Sequence, residues 1–301
     1  MDWPVRSSIF IPAHKASWVQ KIVQYRPGGV VLDLEDAVTP LEKPAARKGV
    51  PQLLKMLHDN SIGTIVRMNP LEEGGADDIE AIVHQDLDAV MLPKAATVAQ
   101  LQELDDLLTY YEGRSGMRRK STAILILPET PEGMQDARQL VAASPRVRGT
   151  VCGVLGSGAA GDFAQALGIW PSEDGQEQNY IVSKLSLDSR AGGGMYPIAC
   201  VNGVKIDNLD KVRELTVRAK TFGYTGVLVI HPSHLPIVHE VFTPTEAEIG
   251  FYRGILAKME ETDARGNGAV RYQGEMIDYA MIARARQVLR DAELLKATTA
   301  A

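Results

Sequence analysis

Eight short runs rich in Val, Ile, Leu and Ala recur along the chain with helix-like segments between them, and this alternation restricts the fold more than any other feature. The runs are residues 8–13 (SIFIPA), 29–36 (GVVLDLED), 64–69 (TIVRMN), 89–94 (AVMLPK), 123–129 (AILILPE), 150–156 (TVCGVLG), 196–201 (YPIACV) and 226–231 (GVLVIH). Strands this apolar are covered on both faces, as parallel strands are when helical crossovers connect them. Between the runs, Leu101, Leu104, Leu107 and Leu108, or Val212, Leu215 and residues 217–219, repeat at the spacing of one helix face. The pattern predicts an α/β fold, a closed (β/α)8 TIM barrel; a doubly wound open sheet would need fewer strands or an added domain. A length of 301 residues suits one barrel over residues 1–240 and a C-terminal helical extension over residues 241–301. The extension carries helix-like runs at 245–261 and 274–297, joined by a Gly-rich connection at 265–274 (RGNGAVRYQG) that reads as mobile. It exceeds what barrel closure requires, so a lid or an inter-subunit arm is expected.

Composition narrows the partners. With 45% apolar and 23% charged residues and a net charge of -6, acids and bases are interspersed and no broad field attracts nucleic acid or an anionic membrane. A small molecule is the expected partner. Cys152 and Cys200 are too few for a disulfide framework or a thiolate metal cluster, and both sit in apolar runs as buried free thiols. The N-terminus lacks the apolar stretch of a signal peptide and no window resembles a membrane span, so a cytoplasmic protein is expected.

In a parallel barrel the C-terminal strand ends and the loops after them form the active face. Here the second run ends Asp33-Leu34-Glu35-Asp36, the third carries Arg67 and Asn69, the fourth ends in Lys94 and the fifth in Glu129, and the sixth leads into Asp162. Carboxylates converging on one mouth repel unless a cation sits among them. Oxygen donors without a Cys or His cluster favour a hard ion, Mg2+, with Mn2+ as a substitute. Each acid also has a local reading: Asp33 or Asp36 can cap the next helix, Glu129 precedes a helix start, and Arg67 can simply neutralise Glu35.

The loop 156–161 (GSGAAG) fits G-x-G-x-x-G, a dinucleotide fingerprint, but it occurs in the sixth unit rather than the first and runs straight into Asp162. In a barrel such glycines let backbone approach a ligand, with N–H groups free for a carboxylate or phosphate. His231, before Pro232, reads as a hydrogen-bonded strand-end residue rather than a base, and the other histidines show no metal spacing. Arg6, Lys15 and Lys43 are candidates for phosphate contacts near the mouth, against ordinary solvated charge.

The segments 6–12 (RSSIFIP), 30–38 (VVLDLEDAV), 42–47 (EKPAAR), 66–69 (VRMN), 128–133 (PETPEG), 156–168 (GSGAAGDFAQALG), 230–244 (IHPSHLPIVHEVFTP) and 274–278 (GEMID) together resemble the citrate lyase β-subunit family, which includes malyl-CoA, β-methylmalyl-CoA and citramalyl-CoA lyases. The resemblance runs in order over nearly the whole chain. It implies a TIM barrel holding Mg2+ through Glu129 and Asp162, with Arg67 and Gly161 beside them on the substrate. Glu35 and Asp36 would hold metal-bound water or orient Arg67. Asp278 matches an acid that in related lyases reaches the site of an adjacent subunit, so a homo-oligomer, a trimer or hexamer, is expected. The implied reaction cleaves or forms a hydroxyacyl-CoA thioester, giving a 2-oxo acid and a thioester enolate that Asp278 protonates while Arg67 stabilises the developing charge. Residues 12–14 (PAH) and 198–200 (IAC) depart from the family pattern, as does much of 171–194, which bears on the edge of the CoA pocket and on substrate identity. Alternative readings are a malyl-CoA-type thioesterase, a citrate lyase β subunit acting on an acyl carrier protein, a pyruvate aldolase for free acids, and a non-catalytic acyl-CoA binding protein.

Overall fold

In the computed structural model the eight runs close into a barrel. It describes the chain apart from Asp2, Ala159, Ala160, residues 264–267 and Ala301, and the backbone alone of Thr262 and residues 294–300. The strands β1 Ser7–Pro12, β2 Gly29–Asp33, β3 Gly63–Arg67, β4 Ala89–Leu92, β5 Ala123–Ile126, β6 Val147–Leu155, β7 Ile198–Asn202 and β8 Gly226–Val229 pair in parallel in chain order, and β8 returns to β1. Most strands stop short of the run that foretold them, because the polar residues at its end leave the ladder to line the mouth.

Alternation along each strand sorts the side chains. Phe10, Val31, Ile65, Met91, Leu125, Leu127, Val151, Ile198, Cys200 and Leu228 pack together inside the barrel. The intervening Val30, Leu32, Val66, Val90 and Leu92 are equally buried, which accounts for the unbroken apolar runs. Asp33 and Arg67 lie two residues beyond Val31 and Ile65, so the same alternation turns both charges inward above the apolar layer. Cys152 and Cys200 are buried free thiols, as expected. No helix among the described residues is long and apolar enough to cross a membrane.

The chain divides into two units, Met1–His239 and Glu240–Ala301. The second opens on the helix Glu246–Asp263, which Thr245 caps by accepting from the Glu248 N–H at 3.1 Å. Here the structure corrects the expectation of a helix from residue 274. Strands β9 Ala269–Tyr272 and β10 Glu275–Asp278 form an antiparallel hairpin, and the helix Tyr279–Ala300 starts after it. The two loop residues, Gln273 at φ 45 and Gly274 at φ 92, take the left-handed conformations that a tight hairpin with this twist requires. Val270, Tyr272 and Ile277 face inward and pack with Ile255, Met259 and Ala285. Residues 265–267 of the expected mobile connection lie outside the described residues.

At the barrel end opposite the mouth, Arg146 precedes β6 with its side chain fully buried. It donates to Asp105 at 2.6 Å and to both oxygens of Glu112 at 2.8 Å. Burial would raise both carboxyls, yet hydrogen bonds from Ser144 and Arg146 hold Asp105 below its ordinary value, and bonds from Arg146 and the Thr122 and Lys120 N–H groups do the same for Glu112. Depressed carboxyls stabilise the fold above their ordinary range and lose that contribution as the pH falls through their folded values. Arg146→Met should therefore cost about 3–5 kcal/mol at neutral pH by leaving Glu112 buried and unpaired. In denaturant titrations the gap between variant and parent should narrow in acid, where both carboxyls protonate.

Candidate active site

Parallel pairing sets Asp33 directly beside Arg67 at the upper ends of β2 and β3. The guanidinium is clamped there. Its Nε and Nη2 donate to the two Asp33 oxygens at 2.7 and 2.6 Å, and its Nη1 lies 2.9 Å from Glu35 and 3.6 Å from Asp36. The Phe10 ring lies 4.8 Å from the guanidinium carbon, so the cation rests on an aromatic face. Asp33 also accepts from the N–H groups of Glu35 and Ala37 at 3.0 and 3.1 Å, so one buried carboxylate shapes the loop after β2 and aims the arginine.

Lys94 follows β4 with a left-handed backbone, φ 49. Its N–H points at Glu129 Oε1 over 3.3 Å, while its Nζ lies 3.1 Å from Glu35 and 3.5 Å from Asp162. Burial opposes the charge on this ammonium, but Glu35, Asp36 and Asp162 hold its value above the ordinary one. Thr130, not Glu129, caps the helix Pro131–Gln135, accepting from the Gly133 N–H at 3.1 Å. A Cβ on Gly133 would meet the Ala95 carbonyl at 2.0 Å, so glycine is what lets this turn close on the loop after β4. Glu129 is thereby left to face the mouth.

Asp33, Glu35, Asp36, Glu129 and Asp162 thus gather around Arg67 and Lys94: five carboxylates against two cations, an excess of three negative charges when all are ionised. The crowding opposes ionisation. Burial first, then Glu35 and Asp162, push the Glu129 carboxyl up to about 8 against the pull of Arg67, and burial also raises Glu35. Among the described residues no group of three or more His, Cys, Asp or Glu is arranged as a metal cage. Mg2+ does not need one, since one or two carboxylates suffice and water and substrate oxygens complete its octahedron. The oxygen-only donor set and its unbalanced charge fit such an ion.

Within the unit Met1–His239 the structure brings Glu35, Asp36, Arg67, Glu129 and Asp162 to one mouth and leaves other candidates of that unit elsewhere. Arg6 is a correction: it precedes β1, and its carbonyl accepts from the Val227 N–H at 2.8 Å at the barrel's opposite end. A six-residue strand, about 20 Å, separates it from the mouth. Lys15 lies exposed in the loop after β1, whereas Lys43 is bonded to Asn69, itself fixed by Leu34 and Asp78. Gly161 precedes the helix Asp162–Leu167, with open space where a side chain would stand. Two other glycines of that loop act differently from expectation: the N–H groups of Gly156 and Gly158 are spent on the carbonyls of Asn202 and Gly203 at 2.9 and 2.7 Å. The loop's Ala159 and Ala160 lie outside the described residues. His231 accepts from the Ser233 N–H at 3.3 Å, a local cap. Asp278, in the second unit, is exposed and caps the helix Tyr279–Ala300 through the Ala280 N–H at 2.9 Å. Asp33 and Lys94 stand at the same mouth in contact with the candidate residues; the sequence alone places both at strand ends, Asp33 as a candidate helix cap, without assigning either to the site.

Comparison with known proteins agrees with the motifs. The chain matches the HpcH/HpaI aldolase/citrate lyase family over residues 6–232 and belongs to it. It is 30% identical to the citrate lyase subunit beta of Haemophilus influenzae over 96% of this chain and 97% of that one. Identity to the L-malyl-CoA/beta-methylmalyl-CoA lyase of Rhodobacter capsulatus is 28%, over 97% and 95% respectively. Among solved structures, CitE of Mycobacterium tuberculosis, in complex with magnesium, acetoacetate and coenzyme A, superimposes with a TM-score of 0.72 at 26% identity, over 96% of this chain and 99% of that one. The protein is a lyase of this family.

Glu129 gives a direct test of the charge imbalance. A carboxyl raised from 4.5 to about 8 stabilises the fold fully below its ordinary value and loses that contribution as the pH rises to about 8. With chelator present, Glu129→Gln should match the parent's Tm in acid and exceed it by several degrees in alkaline buffer. Parallel curves of Tm against pH would show that Glu129 is not under electrostatic pressure.

Proposed function

We propose that the protein is a Mg2+-dependent carbon-carbon lyase that splits or forms a hydroxyacyl-CoA thioester, yielding a 2-oxo acid and an acyl-CoA. The observation that carries this reading is the excess of carboxylate at the barrel mouth beside a rigidly clamped guanidinium. The relative named for malyl-CoA and the CitE complexes that contain magnesium with coenzyme A or with oxaloacetate support it.

Glu129 and Asp162 would hold the ion, and Mn2+ suits the same oxygen donors. When bound, the ion supplies Lewis-acid polarisation of a 2-oxo or 2-hydroxy acid oxygen. Asp33 fixes Arg67 in advance, so its remaining N–H groups meet negative charge on the substrate without reorganising. Glu35 and Asp36 steady the other side of the guanidinium and orient water. Gly161 leaves space for substrate backbone contact beside Asp162. A cavity of about 390 Å3 lined by Ser157, Gly158, Ala164, Gln165, Ile169, Trp170 and Pro171 would offer partly apolar walls to the unreactive part of the thioester. Lys15 is the remaining candidate for a CoA phosphate; Lys43 is committed to Asn69 and braces the mouth.

In cleavage, the substrate hydroxyl would give its proton to the water held by Glu35 and Asp36, its carbon becoming the carbonyl of the oxo acid, while the electron pair of the broken carbon-carbon bond passes into the thioester as an enolate. Asp278 of the partner subunit would protonate the enolate carbon, and remove that proton in the condensation direction. The second unit then serves as an inter-subunit arm in a homo-oligomer. The 30% identity to a citrate lyase subunit keeps a carrier-linked acyl group as a second substrate class.

Incubation with Mg2+ and a panel of malyl-, methylmalyl-, citramalyl- and citryl-CoA esters should release a 2-oxo acid from at least one, with loss of turnover on chelation. Release of free CoA without an oxo acid would instead mark a thioesterase. Asp278→Asn should bind Mg2+ as the parent does yet slow deuterium exchange into the acyl product by about two to four orders of magnitude. Undiminished exchange would remove Asp278 from the reaction.

A further inference from the structure

Lys94 touches acids from three separate βα units. Its Nζ lies 3.1 Å from Glu35, after β2, and 3.5 Å from Asp162, after β6, while its backbone N–H faces Glu129, after β5. It does so from a left-handed backbone, φ 49, a conformation that a residue with a side chain adopts at a cost and keeps only where its surroundings fix it. That turn is what aims the N–H at one carboxylate and the long side chain at two others.

We propose that Lys94 is a positioning residue that stands in for the divalent ion while the site is metal-free, bridging Glu35 and Asp162, and that it competes with the incoming ion for Asp162. The inference rests on the metal reading above. An ammonium and a doubly charged ion at one carboxylate repel each other, so the ion must displace Lys94 from the longer, 3.5 Å contact. The geometry permits this: the Lys94 side chain is 36% exposed on a flexible four-carbon stem, and its closer partner, Glu35, retains it after Asp162 is yielded. The arrangement keeps the carboxylates gathered before the ion arrives, at the expense of weaker metal binding than the same acids would otherwise show.

The test is thermal denaturation of the full chain, titrated with MgCl2, in the parent, Lys94→Gln and Lys94→Gly. Glycine removes the ammonium while adopting the left-handed backbone freely, so it guards against misfolding of the first variant. The Tm of both variants should begin to climb at a Mg2+ concentration about tenfold lower than in the parent, because stabilisation follows the logarithm of 1 + [Mg2+]/Kd. A purely structural lysine would shift the metal-free and Mg2+-loaded Tm together and leave that onset in place; an unchanged or higher onset overturns the proposal. A parent with no Mg2+ response removes the metal reading itself, and this inference with it. A parent that responds, with variants at the same onset, removes only the role of Lys94.

Discussion

The ion pair between Asp33 and Arg67 is the interaction around which the mouth of this barrel is built. It exists because β2 and β3 pair in a register that sets the two residues side by side, and because alternation turns both inward above an apolar layer. In so enclosed a place neither charge is tolerable alone, and together they form a two-point clamp. Everything else at the mouth is arranged against this fixed guanidinium: Phe10 beneath it, Glu35 and Asp36 beside it, and the loop after β2 folded onto Asp33.

Satisfying Arg67 uses only part of the local negative charge. Glu129 and Asp162 arrive from later units, Glu129 under the pull of Arg67 and Asp162 3.5 Å from the Lys94 ammonium, and burial of Glu129 magnifies the imbalance. Such a cluster is held together by the covalent frame of the barrel rather than by its own energetics, which is how strained charge arrangements persist at reactive sites. The lyase chemistry proposed here uses that imbalance. Under that proposal, a site already short of positive charge would take up a divalent ion and an anionic oxo acid together, with the arginine preset toward the acid.

Much of this was legible in the sequence. The eight apolar runs foretell the barrel, and strand direction alone places Arg67, Lys94, Glu129 and Asp162 at one end. Arg6, which precedes its run, could have been assigned to the other end by the same logic. What the sequence hides depends on relations across chain segments. Asp33 reads equally as a cap or as a site acid until register shows it facing Arg67, and it is both a loop anchor and a clamp. The reach of Lys94 depends on one left-handed residue. The β9–β10 hairpin is hidden by a helical reading because its strands are only four residues each and lie against a long run of strong helix formers. Thr130, by taking over the cap, decides the standing of Glu129 in a way that two adjacent polar residues cannot reveal on paper.

Titration calorimetry of Mg2+ into the parent, Glu129→Ala and Asp162→Ala bears on all of this at once. The account predicts one ion per chain in the parent and no measurable uptake in either variant, with both variants folded. Mg2+ binding of equal strength in all three proteins would contradict it.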